Sequence, residues 1–275
     1  MKKLDAPKLS LIIAVYNKPD HLRLVLAACA RQSFKDFEVV ITDDGSGPAI
    51  RDVVVEAQHQ YSFPVTHLWQ EDKGWRKNIM LNSAIRAATT EYLVFIDGDC
   101  LPGKDFLLDH WNQREPDRIL MGRRAEPSER WSKALTLERV RSGEFERYGW
   151  KEWLDSFLKK SSRFEDGIRM NSTVVRTLLL RDIGGMLGSN CSMWKKDLVA
   201  INGFDELYNG TGCGEDSDVQ YRLSLIGVTG KPLRNLAIQY HIWHPHTEGS
   251  VACRERFEMV KTTNNPRCKT GLIHE

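Results

Sequence analysis

The chain has 275 residues, 41% of them hydrophobic and 28% charged, with a formal net charge of +2. That length allows one large domain or two small ones, and a near-neutral charge gives no reason to expect a nucleic-acid partner. No apolar run approaches the ~18 residues of a membrane-spanning helix.

The basic MKK start precedes a short apolar run, Leu9 to Val15, without a small-residue cleavage pattern, so a signal peptide is not expected. The first element is that run, Leu9–Tyr16, which reads as a strand buried on both faces. Pro19 suits the first turn of a helix, and Leu22, Val25, Leu26 and Cys29 recur at helical spacing. Phe37–Ile41 is a second strand, running into Thr42-Asp43-Asp44-Gly45-Ser46-Gly47. A polar helix over about Pro48–Gln60, a strand at Val65–Trp69, a helix at Trp75–Ala88 and a strand at Glu91–Ile96 follow. This alternation predicts an α/β fold, a Rossmann-like, mostly parallel sheet flanked by helices. Ligands of such sheets sit at the carboxyl ends of the strands. Three strand ends carry polar clusters there: Tyr16-Asn17, Asp43-Asp44 and Asp97-Gly98-Asp99.

After the strand at Ile119–Gly122, strand signals stop until about Met186, and residues 123–185 read as a helical insertion. Within it Trp150, Trp153, Leu154, Phe157 and Leu158 form an amphipathic stripe. Two readings stand: a helix packed on the main domain, or, with Lys151, Lys159 and Lys160 beside it, contact with a lipid-linked acceptor at a membrane surface. Later come a helix starting at Glu215 and a strand, Leu236–Tyr240. The six cysteines lack C-x-x-C spacing, so reduced thiols in a cytoplasmic protein are expected rather than a disulfide framework or zinc cluster.

Each polar cluster has a structural and a chemical reading. Asp97 and Asp99 are a solvated turn, or hold a hard cation. Asp43 and Asp44 make an Asx-type turn, or accept hydrogen bonds from a base or ribose. Arg76 and Lys77, near a helix start, are a solvated basic turn or meet phosphate. Glu215 and Asp216 follow the Gly-rich stretch Gly210-Thr211-Gly212-Cys213-Gly214; they complement a helix dipole, or one is a general base. His241, His244 and His246 follow a strand and are structural, or ligate a borderline divalent ion. Their order along the chain favours the chemical set. A cation held by carboxylate and imidazole neutralises a departing diphosphate, and a carboxylate opposite it deprotonates an attacking hydroxyl.

The segments LSLIIAVYNKPDHL (9–22), FEVVITDDGSG (37–47), KGWRKNIMLNSAI (73–85), YLVFIDGDCLP (92–102), GSNCSMWKKDLVAINGFDE (188–206), GCGEDSDVQYRL (212–223) and YHIWHP (240–245) resemble family 2 glycosyltransferases, inverting enzymes of the A-type fold. Within them the chain is most similar to chondroitin-polymerase-like domains and to the C-terminal half of β-1,4-galactosyltransferases. The resemblance implies one domain over 1–275: a nucleotide-binding half (1–122), the insertion (123–185), an acceptor and metal half (186–250) and a C-terminal tail (251–275). It implies a UDP-sugar donor and a glycan or lipid-linked saccharide acceptor. Ala14, Tyr16 and Asp44 would hold the uridine, with Asp43 nearby; Arg76 would meet the nucleotide or its phosphates; Asp97 would lie near the ribose. Asp99 would bind Mn²⁺ or Mg²⁺ with His241, which matches the family's metal-binding histidine better than His244. Asp216 would be the base and Glu215 would hold the acceptor. The expected location is cytoplasmic, with peripheral contact at the inner face of the membrane as the open alternative. Competing readings are a nucleotidyltransferase that makes a nucleotide sugar and a catalytically inactive carbohydrate-binding homologue. Against the first, Tyr16-Asn17-Lys18-Pro19 stands where such enzymes carry a Gly-rich phosphate loop; against the second, the acidic sites and His241 are all present.

Overall fold

The computed structural model describes residues 6–172, 174, 184–210, 214–245 and 250–274. Strands β1 (Leu9–Val15), β2 (Phe37–Asp43), β3 (Val65–Trp69), β4 (Tyr92–Asp97), β5 (Cys100–Pro102), β6 (Arg118–Met121), β7 (Cys191–Trp194), β8 (Thr229–Pro232) and β9 (Gln239–His241) alternate with helices. Those helices are α1 (Pro19–Ala30), α2 (Pro48–Gln60), α3 (Lys77–Ala87), α4 (Phe106–Gln113), α5 (Glu129–Lys133), α6 (Leu137–Ser142), α7 (Trp150–Phe157), α8 (Lys195–Ala200), α9 (Glu215–Leu225) and α10 (Val251–Thr263). Seven strands form one sheet in the order β3-β2-β1-β4-β7-β6-β8, and β5 pairs with β9 in a separate ribbon.

The continuous apolar runs of the central strands have a simple cause: both sheet faces are covered. Leu9, Leu11 and Ile13 of β1 pack on one side with Leu22 and Val25 of α1 and Ile50 and Val53 of α2. Ile12, pointing the other way, joins Leu81 and Ile85 of α3, Leu198 of α8 and Leu223 of α9. Prolines at the first turns of α1 and α2 start both helices where the sequence places them.

The sheet is parallel through β3, β2, β1 and β4, and again between β6 and β8. β7 departs from the expected alternation, running antiparallel to both β4 and β6. Its buried polar side chains explain how a central strand tolerates Ser192: the hydroxyl meets Tyr92 OH at 2.7 Å and His110 Nδ1 at 2.8 Å. His110, with its other nitrogen on Asn190 Oδ1, is held neutral by burial, which takes it down to about 3.

The run Asn202–Glu206 ties the C-terminal residues to the body. Asn202 donates to the carbonyls of Cys268 and Ile273, and the Phe204 ring packs on Phe95. Buried Asp205 accepts from the Arg256 guanidinium of α10. Residues 251–274 are therefore packed against the sheet domain rather than trailing from it. All five described cysteines are free and buried. Among the described residues, no helix is long and apolar enough to cross a membrane.

Candidate active site

The parallel register sets the rim. Ala14 lies opposite Asp97 across β1 and β4, and Val15 lies opposite Asp43 across β1 and β2. Gly98 follows because the chain turns against β1: its N–H donates to the Ala14 carbonyl at 2.7 Å, and a Cβ there would lie 2.7 Å from Val15 Cγ1. The glycine between the two aspartates is thus a packing requirement that leaves both carboxylates at the mouth of the sheet.

A cavity of about 410 Å³ opens at this rim, within the range of small-ligand sites. Ala14, Tyr16, Asp44, Asp97, Asp99 and His244 all line it, as do Lys18, Trp75 and Lys77. Asp44 accepts from Gln70 Nε2 at 2.5 Å and from the Arg76 backbone N–H at 2.7 Å, while burial pushes its carboxyl above the usual range. Tyr16, half exposed, donates to Asp72 at 2.9 Å.

Two further residues expected at or near the nucleotide, Asp43 and Arg76, do not line the cavity. Asp43 is only 1% exposed and does not line the cavity; it accepts from the Ser46 N–H at 2.8 Å and meets His67 Nε2 at 3.1 Å. Neighbours on a strand point to opposite faces, so the Asp43-Asp44 pair puts one carboxylate in the turn and one in the cavity. The Arg76 guanidinium bonds to the Glu71 carbonyl, and it is the Arg76 backbone that faces Asp44.

The second acidic centre is assembled from distant segments. β5 and β9 pair antiparallel with Cys100 opposite His241, and the Ile242 N–H donates to the Asp99 carbonyl at 2.8 Å. On the other edge of β9, the His241 N–H donates to the Ala125 carbonyl at 2.9 Å. This ribbon puts His241 Nε2 3.6 Å and His244 Nε2 3.5 Å from the Asp99 carboxylate. Lys18 Nζ approaches the same carboxylate at 3.0 Å. Burial works against the Asp99 charge, but His241, Lys18 and His244 outweigh it and hold the carboxyl down at about 2. Burial, then Arg124, pushes His241 down to about 4, so its imidazole is neutral at physiological pH. One anionic oxygen donor and two imidazole nitrogens lie within 4.8 Å of one another. A neutral imidazole and an ionised carboxylate are ligands for Mn²⁺-type ions, so this donor set fits a divalent cation. His246 lies outside the described residues.

Lys77 joins the third group. Its Nζ donates to Asp97 Oδ1 at 2.6 Å. Burial opposes its charge, yet Asp97, Asp216 and Glu215 together keep it firmly protonated, above the ordinary lysine value. Asp216, at the start of α9, accepts from the Gly188 N–H at 2.7 Å. A Cβ on Gly188 would lie 2.3 Å from Asp216 Oδ1, so only glycine lets that N–H approach the carboxylate. Burial first, then Glu215, pushes Asp216 up to about 7, against the pull of Lys77 and the Gly188 N–H. A carboxyl titrating there is suited to accepting a proton near neutrality.

Sequence reasoning did not single out Lys18 or Arg124. Lys18 follows the β1 rim directly, so its position carried a signal. Arg124 did not: it opens the motif-poor insertion and comes 4.0 Å from Asp97 only because β6 sits two strands from β4.

This layout is that of an A-type glycosyltransferase fold, and solved structures agree. Staphylococcus aureus TarS 1–349 in complex with UDP superposes with a TM-score of 0.60 at 18% identity, over 94% of this chain and 65% of that one. The mannosyltransferase PcManGT from Pyrobaculum calidifontis, in complex with GDP-Man and Mn²⁺, gives 0.57 at 17% identity, over 88% and 60%. The model of glycosyl transferase family 2 matches residues 10–170, more than half of the sequence, and the chain belongs to that family. A second family model, described as the N-terminal domain of galactosyltransferase, matches residues 181–246. Among characterised relatives, validoxylamine A glucosyltransferase of Streptomyces hygroscopicus subsp. jinggangensis is 29% identical over 81% of this chain and 52% of its own length. Chondroitin synthase of Escherichia coli is 25% identical over 91% of this chain and 37% of its own. The chain thus spans about half of the first relative and just over a third of the second.

Proposed function

We propose that this chain moves a sugar from a UDP-sugar to a hydroxyl of a glycan or glycolipid acceptor, inverting the anomeric carbon, with Mn²⁺ or Mg²⁺ as cofactor. The observation that carries the reading is the meeting of Asp99, His241 and His244 at the mouth of the rim cavity, beside Asp97 and Lys77. Ala14, Tyr16 and Asp44 line the part of the cavity assigned to the uridine, and Asp43 stiffens the turn behind it by holding the Ser46 N–H. Asp97, fixed by Lys77, faces the ribose and diphosphate region, and Arg76, whose backbone N–H holds Asp44, would meet the nucleotide or its phosphates. Asp99, His241 and His244 would hold the divalent ion, whose charge offsets the diphosphate's as it leaves. Asp216 takes the proton from the acceptor hydroxyl, and Glu215, next to it, orients the acceptor. In-line attack from the face opposite the diphosphate needs one base and no enzyme nucleophile, which is the inverting outcome.

The uridine assignment rests on the family resemblance, since one structural neighbour holds UDP and another GDP-Man. A donor panel separates the two. With Mn²⁺ present, nucleotide release is expected from a UDP-sugar and not from GDP-sugars, and EDTA is expected to stop it. Release from GDP-sugars alone, or release unchanged in EDTA, would refute the proposal.

A further inference from the structure

Helix α7 is folded with its apolar side outward. Trp150 is 72% exposed and Phe157 84%, and Trp153, Leu154 and Leu158 are exposed as well. Elsewhere among the described residues, large exposed apolar side chains occur singly or in pairs along the chain, so this five-residue cluster stands apart. The one buried residue of the helix is a charge, Asp155, which accepts from the Ser128 hydroxyl and, at 2.9 and 3.1 Å, from the Arg130 guanidinium. Glu152 closes the helix start by accepting the Gly149 N–H at 2.8 Å. These polar ties fix the rotation of the helix about its axis, so the outward apolar face is imposed by the fold. The one described ring contact of the stripe with another segment, Trp153 edge-on against Phe164 at 4.7 Å, stays within the 123–185 insertion.

The charges around the face are one-sided. Between residues 147 and 163 the two acidic side chains, Glu152 and Asp155, turn toward the protein. Arg147, Lys151, Lys159, Lys160 and Arg163 are exposed. The C-terminal end of the helix also opens on a cleft lined by Lys159, Lys160, one carboxylate, Glu126, and Trp243, whose wall includes His241 and His244. The apolar face is therefore continuous, through a basic strip, with the candidate metal site.

We propose that α7 and its cationic rim dock the protein on an anionic lipid surface, the helix lying in the plane of the headgroups with Trp150, Trp153, Leu154, Phe157 and Leu158 inserted. An apolar stripe with tryptophans, flanked along the chain by the exposed Arg147, Lys151, Lys159, Lys160 and Arg163, matches the chemistry of such a surface. Docking in this way turns the cleft beside His241 and His244 toward the bilayer.

The test is co-sedimentation of the intact chain, without nucleotide or metal, with phosphatidylcholine vesicles and with vesicles containing phosphatidylglycerol. Binding is expected to be at least about tenfold stronger on the anionic vesicles, the scale set by one or two basic contacts at such a surface. It is expected to weaken in high salt and to shift the tryptophan emission to the blue. Phe157→Asp should abolish the emission shift, and Lys151→Glu should reduce the preference for anionic vesicles; neither side chain supports the folded core. Absence of binding to anionic vesicles at low salt, or equal binding by Phe157→Asp, overturns the proposal. So does a dimer in sedimentation velocity that Phe157→Asp disperses when vesicles are not bound, because the face would then cover a second copy. None of these outcomes involves sugar transfer, so failure here leaves the reading of the active site standing.

Discussion

Asp216→Asn is expected to lower turnover by about 10²–10⁴-fold, the usual contribution of a positioned general base, while UDP affinity stays unchanged. The asparagine keeps the shape and can still accept the Gly188 N–H, so the change removes basicity and little else. The same group sets the pH profile. With its carboxyl pushed up to about 7, Asp216 is protonated and inactive in acid and gains its basic form as pH rises through that value. Turnover should therefore climb with pH and level off above neutrality, and Asp216→Asn should flatten that limb. Steady-state rates across pH for both proteins check this. Wild-type turnover by the variant, or an unchanged acid limb, would remove Asp216 from the role of base.

Asp99→Ala is expected to bring metal-dependent transfer to background and to weaken Mn²⁺ binding by at least about 100-fold, beyond the 10–100-fold typical of losing an outer partner of a metal site. Asp99 is the one carboxylate shared by the two imidazoles, at 3.6 and 3.5 Å. His241→Ala should cost more affinity than His244→Ala. His241 is held in the β5–β9 ribbon and kept neutral by burial, whereas His244 lies beyond that ribbon with its side chain 31% exposed against 12% for His241. Calorimetric titration with Mn²⁺ ranks the three variants. Full affinity in Asp99→Ala would place the ion elsewhere, and the reverse order of the histidines would move the second ligand.

Local patterns made residues 9–97 legible. Pro48 begins α2 and a polar-apolar repeat carries it to Gln60, with no long-range information needed. β1 reads as a doubly buried strand because its apolar run is nearly continuous, and a parallel sheet then puts Tyr16, Asp44, Asp97 and Asp99 on one rim. What stayed hidden depends on distant partners. β7 is four residues long, and nothing in Cys191–Trp194 tells a strand which neighbour it will oppose. The approach of Asp99 to His241, implied by the family resemblance, is made by pairing β5 with β9: a strand near Leu236–Tyr240 is legible in the sequence, but the three-residue β5 is not. Arg76 and Asp43 show a finer limit: a motif names a residue, but side-chain direction decides whether its side chain lines the cavity. The α7 stripe shows another. Periodicity tells which face of a helix is apolar, and only the tie from Asp155 to Ser128 and Arg130 tells which face is inward.

The central claim is that a carboxylate and imidazoles more than 140 residues apart in the sequence grip one divalent ion at the leaving diphosphate. Anomalous diffraction from crystals soaked with Mn²⁺ and UDP tests it directly. A single manganese peak bonded to Asp99 and His241 and to the UDP diphosphate is the expected result. A peak remote from Asp99, or UDP bound at full occupancy with no manganese between it and these two residues, would contradict it.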